Sequence, residues 1–215
     1  MTRHEYAMTS PSSRLPGPFE TEHLLLRPYS EDDATWYYQM SLRNRDHLRR
    51  YESGNVAMSL TSEEHTRKTL KALAGYWEDG TCYFVGVFSR ATGDFVAQLY
   101  VGPFSQEPLD FILGYIGDRV HEGHGYVTEA VTATVANLFN HLGADQVRIH
   151  CDETNERSRG VAERCGFSKT ASFAEEKRGP DGEFHMGTTI VYLRLRSDHA
   201  ASWNTEVGED ADPHN

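Results

Sequence analysis

Residues 114–130 read GYIGDRVHEGHGYVTEA, and this run constrains the chain more than any other. An apolar, strand-forming stretch ends at Ile116, a polar turn follows, and Gly123 and Gly125 open a segment with helical periodicity. A strand, a glycine turn and a helix start together leave unbonded backbone N–H groups at the positive end of a helix dipole. That arrangement suits an anion, most often a phosphate. A Gly-x-Gly pair also occurs in ordinary strand-to-helix turns, so its meaning depends on the rest of the chain.

The chain has 215 residues, enough for one well-buried core and few for two. With 38% hydrophobic and 25% charged residues it reads as a soluble globular protein. No apolar run approaches the ~20 residues that span a bilayer, so no membrane partner is expected. The opening MTRHEYAMTSPSSRLPGP contains no apolar core of a secretory signal, which places the protein in the cytoplasm. A formal net charge of −11 argues against nucleic acid held through bulk charge. Cys82, Cys151 and Cys165 are odd in number, lack paired spacing and are expected as buried free thiols. His150 and Cys151 do not form a nucleophilic pair, because neighbours on a strand point to opposite faces.

Three regions follow from composition. Residues 1–18 are rich in Ser and Pro, lack periodicity and read as a flexible arm; residues 19–197 carry the periodic elements. Residues 198–215 hold Asp198, Glu206, Glu209, Asp210 and Asp212 with no Lys or Arg, and read as an acidic disordered tail.

Within the central region a strand is expected at His23–Pro28. Ser30 then begins an S-x-x-D helix start, with the helix running to about Arg50. Its late arginines, Arg43, Arg45, Arg49 and Arg50, complement the dipole of the helix end. A polar loop over 52–60 leads to a capping-box pattern at Thr61–Glu64 and a helix to about Glu78, with Leu70, Leu73, Ala74 and Trp77 on one face. Strands are expected at Cys82–Ser89, Phe95–Val101 (closed by Gly102-Pro103) and Leu109–Ile116. The helix after Gly125 aligns Val127, Val131, Val135, Leu138 and Leu142 and stops at Gly143. A strand at Gln146–Cys151, a short helix at Asn155–Cys165 and strands at Phe167–Glu175 and Glu183–Arg194 complete the order. The class is α/β (α+β): a mixed, mostly antiparallel sheet of about seven strands with helices on both faces.

This order resembles the GCN5-related N-acetyltransferase (GNAT) fold, and the likeness tightens at two motifs. GYIGDRVHEGHGYVTEA is similar to the G-Y-W-L-D-x-x-Y-[RQ]-G-x-G-Y-A-T-E-A pattern of the RimJ/RimL-type branch. NERSRGVAERCGF at 155–167 resembles that branch's N-x-x-S-x-x-[LV]-x-E-[KR]-x-G-F. The resemblance implies an acetyltransferase domain over 19–197 whose sheet splays between the fourth and fifth strands. It implies acetyl-CoA as co-substrate, no metal, and a primary-amine acceptor: a protein N-terminus, a small amine or an aminoglycoside-like compound. A homodimer is among the assemblies it allows.

By the same resemblance, pantetheine would pair along Ile116, Gly117 and Asp118. The pyrophosphate would rest on the turn of Glu122, Gly123, His124, Gly125, Tyr126 and Val127. Asn155 would bond the pantetheine arm or a water, and Ser158 would donate a proton to the departing thiolate. Asn155 and Ser158 stand at i and i+3, on one face of a helix start, where Asn also serves as an N-cap. The amine would attack the thioester directly in a ternary complex, leaving the protein to position, to stabilise charge and to handle protons.

Two positions depart from the pattern. Glu122 stands where Arg or Gln is usual, and Val127 where Ala or Gly is usual. The branch often carries Glu two residues before the glycine of the fourth strand; Ile112 stands there, which leaves Asp110, on the same face, as the candidate base through water. His121 and His124 are one residue short of the H-E-x-x-H zinc spacing. Glu122 and Ile112 motivate an alternative reading, a catalytically degenerate module that binds acyl-CoA or a partner in a regulatory role. Glu175, Glu176, Asp181 and Glu183 hint at a cationic acceptor.

Overall fold

The computed structural model describes residues 14–179 and 182–198. Among these, eight strands form one sheet in the order β1-β2-β3-β4-β5-β6-β8-β7. The strands are β1 (Phe19–Glu20), β2 (Leu24–Arg27), β3 (Tyr83–Ser89), β4 (Phe95–Gln106), β5 (Leu109–Gly117), β6 (Gln146–Asp152), β7 (Ser168–Arg178) and β8 (Phe184–Leu195). The helices are α1 (Ala34–Leu48), α2 (Glu63–Asp79), α3 (Tyr126–Asn137) and α4 (Glu156–Arg164). All pairings are antiparallel except β5 with β6. The short β1 is the strand that the sequence did not signal.

Alternation along the strands builds two cores. Val85, Val87, Leu99 and Leu113 point to the face covered by Val131 and Val135 of α3, Leu138 just after it, and Val161 and Ala162 of α4. Phe88, Phe95 and Ile116 point to the other face, against Tyr37 and Met40 of α1 and Leu70 and Leu73 of α2. Each buried Val or Leu contributes about 1.5–3 kcal/mol, so the apolar stripes of α1, α2 and α3, more than helix propensity, hold these helices in place.

Several boundaries move for identifiable reasons. The S-x-x-D start makes a 3-10 turn over Glu31–Asp33 before α1, because Asp33 is held from outside by the two-pronged guanidinium of Arg27. The cap of α2 is Ser62, whose Oγ accepts from the His65 N–H at 3.1 Å, and Thr61 stays outside the helix. Pro103 does not end β4. Pairing with β3 stops at Val101, so Pro103 lies where β4 has one partner strand and the register shifts beside it. Leu15 is buried in the core and its N–H donates to Tyr83 Oη, so the fold begins within the segment read as an arm. Residues 1–13 of that arm, Pro180, Asp181 and the tail beyond Asp198 lie outside the described residues. Among the described residues no helix is long and apolar enough to cross a membrane.

The parallel pair sets up the site. Only Asp110, Phe111 and Ile112 of β5 pair with β6, opposite Gln146, Val147 and Arg148. Beyond Ile112 the two strands part, and the edge of β5 from Leu113 to Gly117 is left without a strand on that side.

Candidate active site

A cleft of about 990 Å³ opens where β5 and β6 diverge. Its floor includes Tyr115, Ile116 and Gly117 of β5; one wall is the turn 121–128, and the other is the start of α4 from Asn155 to Ser158. Gly123 and Gly125 have φ of 82° and 78°, and Gly125 is the N-cap of α3. Side chains rarely adopt such angles, and neither glycine has a heavy atom within 4 Å of where a Cβ would stand. The turn therefore offers bare amides at the positive end of a three-turn helix, on the wall of an open cleft. Val127 fits this arrangement: its Cγ2 would lie 3.5 Å from a Cβ on Gly117, in ordinary contact across the crevice floor.

Glu122 finds a counter-charge and a second partner that the sequence did not reveal. Its carboxylate accepts from Arg157 Nη1 of α4 at 2.7 and 2.8 Å and lies 2.9 Å from His47 Nε2 of α1. His121 faces Asp118 and Asp94, while His124 stacks on Tyr126 at a centroid distance of 5.4 Å. Replacing Glu122 by glutamine is expected to tighten CoA binding by about two- to fivefold, the scale of one charge near a helix N-terminus. Isothermal titration checks this; weaker binding would show that the bond to Arg157 shapes the cradle.

The α4 start is built as the spacing suggested. Asn155 Oδ1 accepts the Ser158 N–H at 3.2 Å, capping the helix. Ser158 Oγ donates to Tyr115 Oη at 3.1 Å, and Tyr115 Oη donates to the Ser158 carbonyl at 2.7 Å. Burial pushes the Tyr115 phenol well above its ordinary range, so it stays protonated as the partner of Ser158. The first motif contains Tyr115 but gives no sign of this role, which comes from its place on β5 facing α4 across the cleft.

Two predicted residues do not reach the cleft. Asp110 is fully buried at the closed end of the gap, where β5 and β6 still pair; Arg148 and Gln146 occupy its Oδ2. Held there, Asp110 is away from the cleft lining and poorly placed to serve an acceptor amine as a water-mediated base. Asp118 is also fully buried, with Arg43 and Asn44 donating to its carboxylate. Burial alone would raise its pKa, but those two donors outweigh it and hold the carboxyl below its ordinary value. Asn44 in turn accepts the Arg119 N–H at 2.9 Å, so the Asp118 side chain ties the turn to α1. Arg43, expected only to complement a helix dipole, is thereby a structural anchor.

A second cavity of about 350 Å³ adjoins the first. Its lining includes Asp152, Glu175, Glu176 and Lys177, and Lys177 Nζ lies 2.6 Å from Asp152 and 3.9 Å from Glu175. The two cavities share Arg50, Tyr51, Glu52, Asn155 and Ser158. Tyr51 Oη bonds Thr154 at 3.1 Å, fastening the 51–53 segment over the start of α4.

A family profile described as "Acetyltransferase (GNAT) domain" matches residues 23–168, more than half of the chain. The chain belongs to the GNAT acetyltransferase family. The Escherichia coli (strain K12) ribosomal-protein-serine acetyltransferase is 27% identical over 150 residues, covering 68% of this chain and 80% of that protein. The Bacillus subtilis (strain 168) protein described as "Probable N-acetyltransferase YjcK" is 25% identical over 147 residues, covering 68% and 81%. The solved structure of RimL, a ribosomal L7/L12 alpha-N-protein acetyltransferase in complex with coenzyme A, superposes with a TM-score of 0.73 at 20% identity. It covers 83% of this chain and 97% of its own. The chain is thus similar in sequence and fold to ribosomal-protein acetyltransferases of the RimJ/RimL type.

Proposed function

We propose that this acetyltransferase moves an acetyl group from acetyl-CoA to the α-amine of a polypeptide chain. The observation that carries the reading is the meeting of two cavities at Asn155 and Ser158. The larger suits CoA: glycine amides for the pyrophosphate, and an unpaired β5 edge for the amide-bearing pantetheine arm. The smaller suits the end of a chain more than a bulky polycation, and its carboxylates favour an ammonium group. The names of the ribosomal-protein relatives point the same way.

Acetyl-CoA supplies the activated acyl group. The residues of this chain then have three tasks. The 122–127 turn orients the diphosphate, the β5 edge aligns the arm, and the Ser158 hydroxyl, oriented by Tyr115, stands where a departing sulfur needs a proton. The pairing of Glu122 with Arg157 offsets its charge beside the cradle, which favours the catalytic reading over a degenerate regulatory module.

The test is thiol release with acetyl-CoA against three acceptor sets: peptides with free Ser or Ala N-termini, the same peptides N-terminally blocked but bearing Lys, and small amines with an aminoglycoside. Mass spectrometry should place the acetyl group on the peptide α-amine. Acetylation of the aminoglycoside alone, or of no amine, would refute the reading. Ser158→Ala should lower kcat on the order of 100-fold while leaving the KM for acetyl-CoA near its original value. A raised KM with kcat intact would instead make Ser158 a binding residue.

A further inference from the structure

Asp110 is spent at the closed end of the gap, so proton removal from the acceptor needs another group. Attack on the acyl carbon must occur where the acyl-donor cleft opens into the acceptor cavity. The residues lining both spaces mark that point, and among them Glu52 is the carboxylate. We propose that Glu52 is the general base, taking a proton from the acceptor ammonium at the junction of the two cavities. This assignment rests on the acetyltransferase reading above.

The segment holds Glu52 in place. Its N–H donates to the Leu48 carbonyl at 2.8 Å, and its carbonyl accepts the Asn55 N–H at 2.9 Å. Tyr51 is fastened to Thr154 immediately before it. Burial pushes the Glu52 carboxyl up to about 7, with Asn55 acting against it, and a base poised near the working pH is the most effective kind.

The charged and titratable groups facing the junction are distributed by element. Arg50 and Tyr51 flank Glu52 on its own segment, and Tyr115 comes from β5. His150, Cys151 and Asp152 come from β6, and Glu175, Glu176 and Lys177 from β7. Lys177 is committed to Asp152, and Thr189 donates to Glu175. Burial and then Arg148 hold the His150 ring below its ordinary value, which favours its neutral form. Glu52 thus belongs to neither of those pairs while lying on the path of the amine.

The ammonium gives one proton to the Glu52 carboxylate, which passes it to solvent. The freed nitrogen lone pair forms the N–C bond, the C–S bond breaks, and the second nitrogen proton accompanies the thiolate through Ser158. Ammonium and thioester become amide, thiol and one released proton.

The Glu52→Gln variant tests the assignment through pH. About one α-amine in ten is neutral at pH 7, so kcat/KM should fall about tenfold at pH 7 and approach wild type by about pH 9, where the amine deprotonates by itself. Glu52→Asp should retain a rising limb. A readout without acetyl-CoA is the side-chain carboxyl carbon in glutamate-labelled free protein: one signal should titrate between about pH 6 and 8 and vanish in Glu52→Gln. An active wild type with an unchanged profile in Glu52→Gln, or no carboxyl signal in that window, would overturn the Glu52 assignment and leave the function standing. A wild type that acetylates no amine would remove both.

Discussion

Gly125→Val is expected to lower CoA affinity on the order of 100-fold, as isothermal titration would report. Gly125 sits at φ 78° as the N-cap of α3. A β-branched residue adopts that angle at a cost of roughly 1–2 kcal/mol, so the turn would relax toward negative φ and re-aim its amides. Each charge-assisted hydrogen bond lost to a phosphate costs about 1.5–3 kcal/mol, and losing two would account for the drop. The thermal midpoint should fall only modestly, because no atom lies within 4 Å of the Cβ position and the core is untouched. Undiminished affinity would mean that the diphosphate does not use this turn.

The largest expected effect on stability is at Asp118, which the sequence had suggested as a ligand contact. Asp118→Ala should cost about 1–3 kcal/mol in urea unfolding, the range for losing charge-assisted hydrogen bonds whose remaining partner, Arg43, can reach solvent. It should also weaken CoA binding, because the turn would lose its bonds to Arg43 and Asn44 of α1. The pH dependence has a definite sign. The folded carboxyl titrates below its ordinary value, so its stabilisation is complete above the unfolded value of about 3.9. That stabilisation is lost as pH falls from there through the folded value. Wild type should therefore lose stability over that acidic range faster than Asp118→Asn. Parallel curves for the two proteins would show that the Arg43 pair contributes nothing.

The two motifs were legible because their signals are local. Gly123 and Gly125 take positive φ, Asn155 caps α4, and Ser158 follows at the same helix face; each depends on residues within a few positions. The apolar stripes of α2 and α3 and the alternation in β3 were legible for the same reason, since periodicity is written along the chain. Errors at Pro103 and Leu15 arose where a local signal was overridden by what happened to lie alongside: an edge position in one case and the Tyr83 hydroxyl in the other.

Charge roles were the least legible. Asp110 near the start of β5 and Asp118 just past its end carried suggestive positions, but a carboxylate's role depends on which cations reach it. Arg148 lies 38 residues from Asp110, and Arg43 lies 75 from Asp118. Glu122 looked mismatched to its cradle until Arg157 and His47 were found beside it. Glu52 sat in a polar loop with no periodicity and gave no signal at all.

The run 114–130 by itself determined a strand, a positive-φ glycine turn and an amphipathic helix, because backbone sterics and hydrophobic period act over a few residues. Only the tertiary structure decided that β5 and β6 part after three paired residues, and that a second cavity meets the first at Glu52 and Ser158. Those outcomes depend on long-range pairing and on charges brought together from distant segments, and no local property of the sequence encodes either.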